Sequence, residues 1–126
     1  MELYNMYAAW VGIVAGCLSG AVIGLFFHQK DWLGGYAARS RRMVRLGHIS
    51  FFGLAIINTI FALSVSSFAL FPATPLASLL LICGAVTMPV VCFLTAWKPF
   101  FRHLFFIPVL SLLVGIVYSL IQGSMI

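Results

Sequence analysis

Four stretches of this chain, at positions 7–27, 46–68, 76–97 and 104–122, contain no Asp, Glu, Lys or Arg at all. Each is about as long as the roughly 20 residues that a helix needs to cross the hydrocarbon core of a bilayer. Inside lipid every backbone N–H and C=O must find its partner within the protein, so a single uncharged stretch of this length folds as a helix. The expectation is an all-α integral membrane protein: a four-transmembrane-helix up-down bundle forming one domain over 1–126. With 63% hydrophobic and 7% charged residues, the chain leaves no material for a water-soluble domain.

The basic residues set the expected orientation. Lys30, Arg39, Arg41, Arg42 and Arg45 lie between the first and second stretches, and Lys98 and Arg102 between the third and fourth. All seven cations therefore fall on one side, which the positive-inside rule makes cytoplasmic, giving N-out and C-out. The expected location is a bacterial inner (plasma) membrane. The N-terminus carries Glu2 rather than a basic region, so a cleavable signal is not expected. Tyr4, Tyr7, Trp10 and Tyr118 suit one membrane interface, and Trp32, Tyr36 and Trp97 the other. Cys17, Cys83 and Cys92 all fall within spans, which argues against a disulfide framework.

The first span holds an unusual ridge. Every fourth residue from Ala8 reads Ala8, Gly12, Gly16, Gly20, Gly24, His28. Each interior glycine costs about 1 kcal/mol against alanine in a helix. In a bilayer such residues let another surface approach the backbone closely. Gly12, Gly16, Gly20 and Gly24 are thus a helix-packing face, and the amide of Asn58 should also point inward. Along the second span, His48, Ala55, Thr59, Ala62 and Ser66 share one face, the natural neighbour of that ridge.

Between the first two spans, Gly34-Gly35 signals a turn, and Ser40 is a candidate helix cap. Arg39, Arg41, Arg42 and Arg45 are expected at anionic lipid headgroups, each worth about 1 kcal/mol of attraction. An anionic ligand site is the sharper alternative. Pro89 lies mid-span and removes the donor to the Ala85 carbonyl, which Thr87 or a water would relieve.

The chain is poor in catalytic groups. Glu2 and Asp31 are its two acids, and neither lies in a span, which removes paired-carboxylate chemistry and a buried proton-carrying acid. No catalytic set can be assembled, and no nucleic-acid partner is expected. Histidine remains: His28, His48 and His103 all fall at the basic end of different spans. Imidazole ligates metals and haem iron. Haem b or a metal between His28 and His48 would find room at Gly20 and Gly24, an arrangement similar in design to membrane b-type cytochromes, although no family motif is present. His103 is the weaker third ligand. The opposing reading places these histidines at the interface and gives the glycines to packing alone.

Three functions compete. The first is a small non-catalytic subunit of a membrane electron-transfer or respiratory assembly that ligates haem b. The second is a structural, self-associating scaffold whose glycine ridge is its interface with other membrane subunits or a homo-oligomer. A small transporter or channel subunit ranks third, its path lined by Asn58, Thr59, Ser66, Thr87, Thr95 and Gln122.

Overall fold

The structure, a computed structural model, describes residues 1–125. Its long elements are α1 (Glu2–Phe26), α2 (Arg39–Ser66), α3 (Pro75–Trp97) and α4 (Phe106–Ser124), with short 3₁₀ turns at Trp32–Gly34 and Pro99–Leu104. Among the described residues there is no strand. Four helices are long and apolar enough to cross a membrane, the last counted together with the turn that precedes it.

Two helices begin well before their apolar stretches. α1 starts at Glu2 and α2 at Arg39, about two turns before position 46. Hydropathy reports where lipid contact begins, whereas the helix continues for as long as backbone hydrogen bonds and neighbours support it. Ser40 does not cap α2. The cap position is Ala38, without a side-chain bond, and the Ser40 hydroxyl donates to the Ala96 carbonyl of α3 at 2.8 Å. Proline punctuates the rest: Pro75 opens α3, and Pro99 follows its end. Pro89 is accommodated inside α3. Thr87 does not serve the Ala85 carbonyl, because its hydroxyl donates to Cys83 O at 2.7 Å.

The Gly34-Gly35 turn is as expected, with φ of 87° and 98°, and Leu33 before it also has a positive φ of 55°. Only glycine adopts such angles without strain from a Cβ, so the pair sets the direction in which the chain leaves the turn.

Packing follows chain order. α1 lies on α2, α2 on α3, and α3 on α4. α4 has no comparable packing on α1 or α2 among the described residues. The core sits between α2 and α3, where Phe61, Ala77 and Leu81 are buried and Ile57, Phe71, Leu112 and Tyr118 close around them. Close approach depends on missing side chains. A Cβ on Gly47 would stand 2.9 Å from the Phe93 ring, and one on Gly115 3.2 Å from Leu80 Cβ. At Gly84 a Cβ would overlap Leu112 outright, which locks α4 against α3.

Candidate functional site

The glycine ridge of α1 receives the face of α2. A Cβ on Gly12 would lie 3.2 Å from the Phe51 carbonyl oxygen, one on Gly16 2.7 Å from the Phe52 ring, and one on Gly20 2.7 Å from His48 Cε1. Gly24 has nothing within 4 Å. Three of the four glycines are thus occupied by this chain's own second helix. A macrocycle set on Gly20 would have to take the place of the His48 ring.

His48 is held in orientation. Its Nδ1 lies 3.0 Å from Ser19 Oγ, and its ring meets Phe52 edge to face at 5.5 Å between centroids. Ser19 Oγ also donates to Gly16 O at 3.0 Å. A hydroxyl has a single proton, so with that proton on Gly16 it accepts from Nδ1–H. In that arrangement Nε2 of the neutral ring carries the lone pair. His28 lies past the end of α1 and is exposed. His103 is exposed too, edge to face with Phe100 at 6.0 Å. Nothing joins the three histidines to one another, and among the described residues no three His, Cys, Asp or Glu side chains converge as a metal set would.

The four arginines part company. Arg41 is 3% exposed, and its guanidinium donates to the carbonyls of Phe27 at 2.7 Å, Gln29 at 3.2 Å and Lys30 at 3.4 Å. These carbonyls lie at and just beyond the end of α1, where a helix leaves acceptors unpaired and a partial negative charge. Phe27, Trp32 and Tyr36 enclose the same guanidinium, with Phe27 closest at 4.7 Å to its centroid. Arg39 donates to Thr95 O beside the Ser40–Ala96 bond, so the first turn of α2 caps the end of α3. Arg42 is exposed. Arg45 lies over the Tyr36 ring, its guanidinium carbon 4.2 Å from the centroid.

At the other end Asn58 is fully buried, with a partner that hydropathy hides. Asn5 Nδ2 donates to Asn58 Oδ1 at 2.7 Å, Ser78 Oγ donates to Asn5 Oδ1, and Asn58 Nδ2 donates to Leu54 O at 2.9 Å. Asn5 and Ser78 are both 0% exposed. Asn5 precedes the first apolar stretch by only two positions, and an asparagine so near that boundary reads as interfacial by composition.

Of the hydroxyls proposed to line a path, those of Thr59, Ser66 and Thr87 are turned onto their own helices. Thr59 donates to Ala55 O at 2.9 Å and Ser66 to Ala62 O at 2.8 Å. Thr95 Oγ1 is buried without a partner. Between α1 and α3 a groove of about 230 Å³ is floored by Phe51, Leu54 and Ala55, and its walls are also apolar. The chain matches no protein-family model, no curated protein and no solved structure.

Proposed function

We propose that the protein is a non-catalytic subunit of a membrane assembly. It lies in a bacterial-type inner membrane as an up-down arrangement of four spans, with its basic end cytoplasmic and both termini outside. The observation that supports this is how the polar groups inside the spans are engaged. Asn5, Asn58, Ser78, Thr59, Ser66 and Ser119 all hydrogen-bond within the chain. That serves the fold, and of the residues proposed to line a path it leaves only Thr95 and Gln122, on different helices, without a side-chain bond among the described residues. The lipid-facing surface is aliphatic and aromatic, and its interactions are those of packing with lipid and with neighbouring membrane subunits. The test is the native mass of the particle extracted in a mild detergent. A defined complex heavier than one 13.8 kDa chain is expected. A monodisperse single chain would overturn the reading.

A second reading retains haem b, on the strength of His48. Ser19 fixes its Nδ1, as hydrogen-bond partners commonly fix ligand histidines, and Nε2 is then the nitrogen with the free lone pair. Gly24, one turn beyond Gly20, has open space over it. His28, exposed past the end of α1, is the second ligand in this reading. Absorption spectra of oxidised and dithionite-reduced protein, with metal analysis on the same sample, test this. A reduced alpha band lost in His48→Ala is the expected result, and a featureless spectrum without stoichiometric metal excludes it.

A further inference from the structure

The basic end concentrates cations that the chain does not neutralise. Lys30, Arg39, Arg41, Arg42 and Arg45 fall between positions 30 and 45. Of the two acids, Glu2 sits 3.3 Å from the N-terminal ammonium, and Asp31 forms no ion pair among the described residues. A buried cation without a counter-charge is costly even when neutral carbonyls surround it. Arg41 is such a cation: it is 3% exposed, and its Nε has no partner.

Arg45 stands one helical turn further on. Its guanidinium carbon lies 4.2 Å from the Tyr36 centroid, and that of Arg41 lies 5.7 Å from the same centroid. These distances keep the two cations within about 10 Å of each other. Like charges repel, and an anion beside them relieves both. Unlike Arg41, Arg45 makes no hydrogen bond to the protein among the described residues, and only its Nε is enclosed. Stacking on an aromatic ring engages the face of a guanidinium and leaves its in-plane N–H fork free. Tyr36 is 59% exposed, so the pair stands at the protein surface. That fork matches the paired oxygens of a phosphate group.

We propose that Arg45, laid on Tyr36 and backed by the charge of buried Arg41, holds a phosphate-bearing anion at the basic end of α2. The phosphate comes from an anionic lipid headgroup or from free phosphate, and two probes separate them. The full chain in zwitterionic detergent is titrated with phosphatidylglycerol, read by native mass spectrometry, and separately with inorganic phosphate, read by calorimetry. Arg45→Gln should weaken binding about tenfold, as the loss of a charge-assisted contact does. Arg102→Gln, which removes an exposed cation, should leave it within about twofold. Arg45→Lys keeps the charge but not the fork, and should also lose most of the binding. Thermal midpoints of all variants confirm folding. Saturable phosphatidylglycerol binding assigns the lipid, and phosphate binding without lipid preference assigns the free ion. The proposal is overturned if neither probe binds, if Arg45→Lys binds as the parent does, or if Arg45→Gln and Arg102→Gln weaken binding equally.

Discussion

Asn5 and Asn58, 53 positions apart, share a hydrogen bond of 2.7 Å with both side chains fully buried. The bond ties the first turns of α1 to the later part of α2, and Ser78 brings in α3. In lipid neither amide can fall back on water, although the unfolded spans also find partners, which limits the gain.

Asn5→Ala and Asn58→Ala should each lower stability by about 1–2 kcal/mol. The double variant should lose less than the sum, with a coupling near 1 kcal/mol. Unfolding of the purified protein in mixed micelles measures this cycle, and strictly additive losses would mean that the bond contributes nothing.

The ridge glycines should differ sharply. Gly16→Leu and Gly20→Leu drive side chains into Phe52 and His48, and overpacking of this kind costs about 1–3 kcal/mol. Gly24→Leu meets open space and should be nearly silent. His48→Ala should partly restore Gly20→Leu by vacating the contact. Because the partner surface is α2 of the same chain, the native mass should stay unchanged while the thermal midpoint falls. A change in mass without a change in midpoint would return the ridge to an intermolecular role.

Arg41 organises the turn after α1. Arg41→Gln gives up donors to three carbonyls and the aromatic enclosure, at a cost of about 1.5–3 kcal/mol. Hydrogen exchange should rise over 27–38, and Arg42→Gln, at an exposed position, should leave that segment protected.

Attachment of α4 rests on α3. Gly84→Ala should loosen it, since even a methyl group overlaps Leu112, and Leu112→Ala in the same chain should recover part of the loss. Proteolysis of the chain after Trp97 is the readout, with faster cleavage in the single variant.

Hydropathy and helical spacing alone determine much of this protein. Four uncharged stretches become four membrane-length helices because crossing the bilayer is a property of each segment by itself. The ridge at Gly12, Gly16 and Gly20 is a packing face because small residues at helical spacing admit a neighbour wherever it comes from. The identity of that neighbour was decided only in three dimensions. It depends on the register between helices, which sets His48 on Gly20 and Phe52 on Gly16 and leaves Gly24 open. The same holds for Arg41: in sequence it is one of four similar cations, and its burial follows from where α1 stops and offers its last carbonyls. Asn5 lies outside every apolar stretch, yet it is fully buried because α2 and α3 bring Asn58 and Ser78 to it. Local composition determines what a segment can dissolve in, and tertiary packing determines which unpaired groups meet.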